Sequence, residues 1–113
     1  MTSESLPTVS EVAFKTPDGR TLRYSRYLNA EGTAWVRHGP FREQFPDGRV
    51  ASEGQYVHGK ESGLWRDFYP SGQLAAEGLY ADGSEIGWWR FWDQSGNEDQ
   101  KTLFQNGVEV SSG

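Results

Sequence analysis

Two histidines are the only imidazoles in this chain, His38 and His58, and each stands directly before a glycine. An imidazole can ligate a metal or carry protons near neutrality. Here a full strand pair is expected to separate the two, and turn polarity accounts for both, so no metal site is read. Three carboxylates, Glu61, Glu85 and Glu109, recur at one fixed interval. A catalytic acid and base need carboxylates in different environments, whereas a repeated position gives all three the same one, and they read as solvated turn residues. His58-Gly59-Lys60-Glu61-Ser62 holds a Gly-Lys pair without the upstream glycine or strand-to-helix setting of a phosphate loop. Cysteine is absent, which removes thiolate ligands, Cys nucleophiles and disulfides together and suits a reducing cytoplasm. No nucleophile and base stand together, no cofactor is implied, and the chain does not read as an enzyme. One constellation is left: Trp88, Arg90, Trp92 and Lys101, two rings and two cations able to hold an acidic or planar group.

Glycine sets the elements that position these residues. The chain has 113 residues with 14 Gly, five Trp, five Tyr and six Phe. Gly39, Gly63 and Gly87 lie 24 apart, as do Gly48, Gly72 and Gly96, and Gly59, Gly83 and Gly107. Phe41, Trp65 and Trp89 keep the same interval, with Tyr56, Tyr80 and Phe104, and with Arg42, Arg66 and Arg90. A period of this length marks a repeat architecture whose units cover one another's apolar faces. A looser copy precedes it: Pro17-Asp18-Gly19-Arg20 returns as Pro46-Asp47-Gly48-Arg49, and Tyr27 returns as Tyr56. The extra residues fall between Leu28 and His38, which predicts a longer loop there.

Asp-Gly and Ser-Gly between apolar runs signal two-residue hairpin turns. His58-Gly59, Asp82-Gly83 and Asn106-Gly107 carry turn chemistry at the joins between hairpins. With a two-residue turn at Ser71-Gly72, Tyr69 faces Leu74, Asp67 faces Ala76 and Trp65 faces Gly78; by the same count Phe41 faces Gly54. A ring opposite a bare backbone position can lie flat over it, so these pairs are placed on the core side. On the other side Arg66 faces Glu77 and Arg42 faces Glu53, favourable cross-strand pairs that make the arginine column a structural ladder.

The last repeat departs from this. Arg90 is expected opposite Lys101, where earlier copies carry glutamate, with Trp88 and Trp92 on the same face. Two readings stay open: a patch for an acidic or planar ligand, or a degenerate capping repeat whose Asp93, Glu98 and Asp99 discourage edge pairing.

Other classes are excluded. Glycine weakens helix interiors, and after Gly32 the longest glycine-free stretch is ten residues, which leaves no helical bundle. Apolar runs are too short for a membrane-spanning helix. The start of the chain lacks the basic and apolar regions of a signal peptide. A formal charge of −5 argues against nucleic acid and, with less force, against anionic membranes. The charge is uneven: residues 1–50 carry seven basic and six acidic side chains, and residues 51–113 carry four and ten.

Gly54-Gln55-Tyr56-Val57-His58-Gly59-Lys60-Glu61-Ser62-Gly63-Leu64-Trp65 resembles a MORN repeat, with Gly78-Leu79-Tyr80-Ala81-Asp82-Gly83-Ser84-Glu85-Ile86-Gly87-Trp88-Trp89 a second copy and Thr102-Leu103-Phe104-Gln105-Asn106-Gly107 a truncated third. Tyr69-Pro70-Ser71-Gly72-Gln73-Leu74 with Glu77-Gly78 looks more like the bacterial MORN-repeat variant, some of whose members are labelled antitoxins. The resemblance covers residues 38 to 107. It implies a hairpin-repeat fold and a binding role as protein scaffold, lipid-associated module or antitoxin, with no shared active site.

The expected architecture is all-β: an antiparallel meander of stacked β-hairpin repeats, about eight short strands in one elongated, twisted sheet. Residues 1–10 form a flexible leader, residues 11–37 a degenerate first hairpin, and residues 38–110 three repeats, 38–61, 62–85 and 86–110. The expected function is a cytoplasmic, non-enzymatic interaction module, antitoxin-like or adaptor, that offers an aromatic-rich face to another protein. The alternatives are recognition of anionic headgroups or glycans through Trp88, Arg90, Trp92 and Lys101, and a purely structural scaffold component. An exposed terminal hairpin can also pair between copies into a homodimer.

Overall fold

The computed structural model describes residues 8–113. Most of the expected leader therefore lies outside the described residues, although Ser10, assigned to it, opens the first strand. Nine strands follow: β1 (Ser10–Lys15), β2 (Thr21–Leu28), β3 (Trp35–Gln44), β4 (Val50–Val57), β5 (Lys60–Phe68), β6 (Leu74–Ala81), β7 (Ser84–Phe91), β8 (Thr102–Gln105) and β9 (Val108–Ser112). They form one open antiparallel sheet in strict chain order, with no helix among the described residues. One strand exceeds expectation because Val108–Ser112 folds back on β8 after Asn106-Gly107.

The two kinds of turn change places relative to the sequence expectation. His58-Gly59, Asp82-Gly83 and Asn106-Gly107 are the two-residue hairpin turns, with φ positive at both residues of each. Asn and Asp tolerate that conformation, and His58 adopts it as well. Each turn glycine also donates its N–H to the preceding repeat: Gly59 to the Arg37 carbonyl at 2.7 Å, Gly83 to Glu61 at 3.0 Å and Gly107 to Glu85 at 2.9 Å. These bonds lock adjacent repeats at the 24-residue interval.

At Ser71-Gly72 the loop is one residue longer than expected. The Tyr69 and Gln73 backbones close it, so Pro70, Ser71 and Gly72 all lie in the loop. Phe68, not Tyr69, therefore faces Leu74, and a bulge restores the register so that Asp67 meets Ala76 and Trp65 meets Gly78. The longer turn and the bulge cancel, which preserves the Arg66–Glu77 and Arg42–Glu53 registers. The connection between β2 and β3 spans residues 29–34 and is longer than the two-residue turns.

One face of the sheet is its core. Phe41, Trp65 and Trp89 are each 8 % exposed. Tyr56, Tyr80 and Phe104 interleave with them edge-to-face, with Tyr56 5.3 Å from Trp65 and Tyr80 5.0 Å from Trp89 between ring centroids. Edge-to-face packing sets the positive ring edge against the negative ring face. Burial pushes the Tyr80 hydroxyl above its ordinary pKa, helped by Glu85 and Glu61. These glutamates are strand residues directly across from Tyr80 and Tyr56, not solvated turn residues. Repeated turn-like spacing had concealed that the joins are only two residues long.

Each covered glycine takes its ring from the next strand, not from its register partner. A Cβ on Gly54 would sit 2.1 Å from the Trp65 ring, and one on Gly78 would sit 2.0 Å from Trp89. Phe41 and Trp65 remain the Cα partners of Gly54 and Gly78 without being the covering rings. The cause is a large bulge: Gly63-Leu64-Trp65 together oppose Gly54, and Gly87-Trp88-Trp89 oppose Gly78. Gly63 sits at φ +72, which a side chain rarely adopts, and this lets Trp65 fold back over Gly54. Each indole then donates to a carbonyl, Trp65 to Gln55 at 3.2 Å and Trp89 to Leu79 at 3.1 Å.

Candidate functional site

The opposite face carries a line of charge across the strands. Register places Arg23, Arg42, Glu53, Arg66, Glu77 and Arg90 side by side from β2 to β7. From Arg42 onward the signs alternate. Arg66 Nε donates to Glu77 at 2.8 Å, and that hydrogen bond raises the guanidinium pKa above its ordinary value. Arg42 reaches Glu53 only at 3.8 Å. Around the β1–β5 part of this line the face encloses an open trough of about 810 Å³, lined by Glu11, Arg23, Pro40, Gln55, Leu64 and Arg66 among others.

Arg23 breaks the alternation, since it stands directly opposite Arg42. Like charges at such a position repel. Arg23 hydrogen-bonds the Gln44 side chain at 2.9 Å and forms no ion pair among the described residues. Its place follows from the first hairpin. β1 and β2 pair without the bulge that interrupts β3–β4 and β5–β6, so β2 runs one residue out of phase with the later strands. A slip of one residue exchanges the two faces. Arg23 thus occupies the position held by Glu53 and Glu77, and Tyr24, not Tyr27, packs on the aromatic core.

The same slip puts Arg26 opposite Arg37 on the aromatic face. Arg37 caps the ring row, 4.5 Å from the Tyr24 centroid and 5.4 Å from Tyr56. Arg26 lies 4.0 Å over Trp35. Sequence reasoning missed Arg23 because it matched Pro17-Asp18-Gly19-Arg20 to its later copy without allowing for the missing bulge residue. The lack of a small residue matching Ala51 or Ala75 was the available signal.

The Trp88, Arg90, Trp92 and Lys101 constellation is more self-contained than expected. The β7–β8 register ends at Trp89 opposite Thr102, one step short of Arg90 and Lys101; Arg90 makes two bonds to Glu98, at 3.0 and 2.8 Å, and Lys101 exchanges backbone bonds with Gly113. Arg90 lies 5.1 Å from the Trp92 ring centroid, and Lys101 Nζ lies 4.7 Å from Trp88. Arg90 holds the Glu98 carboxyl below its ordinary pKa. The arginine ladder therefore continues here, with a loop glutamate supplying the partner that β8 lacks. Trp88 remains 45 % exposed.

The two histidines are neighbours, not a strand pair apart. Their ring centroids are 4.6 Å apart. His38 Nδ1 accepts the His58 backbone N–H at 3.0 Å, and His58 Nδ1 lies 2.8 Å from the Tyr27 hydroxyl. In β3, His38-Gly39-Pro40 together oppose Ser25, and this bulge carries His38 next to the adjacent turn. No group of three or more His, Cys, Asp or Glu is placed to hold a metal among the described residues.

Comparison with known families identifies two segments. The MORN repeat variant matches residues 37–58 and 61–82. MORN repeats are generally protein- or membrane-binding modules, and the family is one of non-catalytic repeats. No curated protein matches the chain. Among the described residues no helix is long and apolar enough to cross a membrane.

Proposed function

We propose that this chain is a non-enzymatic protein-binding module that receives its partner in the charged trough of β1–β5. The observation behind this reading is the trough itself, an open volume of about 810 Å³ floored by one face of five strands. The aromatic face, the expected docking surface, has its largest rings committed to the core. Pro40 and Leu64 give the trough apolar contacts, and Gln55 and Ser62 give it hydrogen-bonding groups. That mixture suits a polypeptide. Antitoxin-like neutralisation and an adaptor role are two forms such binding can take.

A second reading rests on the exposed Trp88 ring under the Lys101 ammonium, an arrangement suited to an anionic headgroup or a glycan. One experiment separates the two. Partners are captured on the full chain from native cells and identified by mass spectrometry, and each is then measured against two variants. Gln55→Trp fills the trough and abolishes binding under the first reading; Trp88→Ala with Trp92→Ala leaves it unchanged. The reverse pattern, with liposome flotation or glycan binding lost in the double variant, replaces the first reading with the second. Pairing of copies through a terminal hairpin is tested by light scattering, where a strict monomer at high micromolar concentration removes it.

A further inference from the structure

We infer that Arg23 and Arg42 together form a carboxylate clamp, so that the segment bound in the trough is a stretch of a partner protein that presents a single Asp or Glu among apolar and amide groups; this rests on the trough being the binding site. The repeat places a glutamate beside each later arginine of the ladder, Glu53 beside Arg66 and Glu77 beside Arg90. The out-of-phase first hairpin puts Arg23 beside Arg42 instead. Neither guanidinium has a short ion pair: Arg42 reaches Glu53 at 3.8 Å, and Arg23 is bonded to an amide oxygen. Both are exposed and both line the trough.

Directly opposed strand residues hold their Cβ atoms close, so Arg23 turning from Gln44 and Arg42 turning from Glu53 bring both forks within reach of one bound carboxylate. A carboxylate there accepts charge-assisted bonds from both and removes their repulsion. The rest of the floor selects the source of that carboxylate. Glu11 and Glu53 flank the arginines, and Pro40, Leu64 and Gln55 complete the lining. A ligand with one acidic group among apolar and amide groups complements this surface better than a uniformly anionic one. A flat bilayer does not reach a recessed floor, and the chain's net charge of −5 opposes an anionic membrane.

The test is selection of short random peptides displayed on a surface, with the full chain as bait, followed by affinity measurements on the enriched peptides. The expected result is a fixed Asp or Glu in every enriched family. Replacing that residue by its amide weakens binding at least about tenfold, and so does Arg23→Gln or Arg42→Gln in the chain. Amide replacement and Arg23→Gln together cost no more than amide replacement alone, because the amide has already lost the Arg23 contact. Arg49→Gln, outside the trough, weakens binding less than about threefold, since that guanidinium is engaged with the Pro70 and Ser71 carbonyls. Circular dichroism and the Tm of each variant establish that it is folded, and Arg23→Lys supplies a second variant that keeps the charge but loses the fork. Enriched peptides without an acid, or no enrichment at all, overturn the clamp. If Gln55→Trp blocks the peptides while Arg23→Gln and Arg42→Gln do not, the clamp falls and the trough stands. If Gln55→Trp has no effect, the trough reading falls as well. Inorganic phosphate or phosphatidylserine vesicles that displace the peptide from wild type, and bind Arg23→Gln more weakly, would reassign the clamp to anionic phosphate.

Discussion

The β2–β3 and β5–β6 strand pairs treat the same ladder arginine differently. On β5, Arg66 faces Glu77 with a 2.8 Å bond and has Glu53 on its other side. On β3, Arg42 has Glu53 at 3.8 Å on one side and Arg23 on the other. The regular repeat spends its charges on holding strands together. The first hairpin, one bulge residue short, leaves cations facing one another on both sides of the sheet, Arg23 with Arg42 and Arg26 with Arg37. A repeat protein thus acquires a distinct surface from a shift of phase at one end, without a new element. Four of the seven basic residues in positions 1–50, Arg23, Arg26, Arg37 and Arg42, lie where that shift occurs.

The contrast is tested most severely at the glycine–ring contacts of the regular repeats. Gly78→Ala forces a Cβ to 2.0 Å from the Trp89 ring, and Trp89→Ala empties the core position. Each is expected to cost about 3 kcal/mol or more in urea unfolding. Trp88→Ala, one residue away on the opposite face and 45 % exposed, is expected to cost no more than about 1 kcal/mol. Equal losses at the two tryptophans would contradict the assignment of faces.

A smaller effect belongs to the last repeat. Glu98 is held below its ordinary pKa by the Arg90 hydrogen bond. A carboxyl with a depressed folded pKa contributes stability above its unfolded pKa and loses it as pH falls through the folded value. The wild-type Tm is therefore expected to fall more between neutral pH and pH about 3 than that of Glu98→Gln, with the difference shrinking in high salt. Parallel acid profiles would show that the pair contributes nothing.

Much of this fold was legible because glycine and aromatic columns repeat together. The Arg42–Glu53, Arg66–Glu77 and Trp65–Gly78 registers followed from counting alone, yet partly through compensation. The loop at Ser71-Gly72 is longer than the count allowed, and a bulge in β6 takes the residue back. Counting did not reveal which ring covers which glycine, because the bulges at Gly63 and Gly87 turn each tryptophan toward the preceding strand. Nor did it bring His38 to His58, which depends on the corresponding bulge in β3. The trough escaped notice for a related reason. Its distinguishing residue, Arg23, falls out of column once a bulge residue is missing, and a sequence match cannot tell a changed residue from a changed phase.

The most direct test of the account compares thermal unfolding of Arg23→Glu and Arg66→Glu at low ionic strength. Opposite signs are expected: Arg23→Glu converts a repelling pair into an attracting one and raises the Tm, by an amount on the order of 2 °C, whereas Arg66→Glu places three carboxylates in a row and lowers it. A lower Tm for both variants would show that Arg23 is a structural member of the ladder, and would contradict the claim that the first hairpin leaves Arg23 without an ion pair among the described residues.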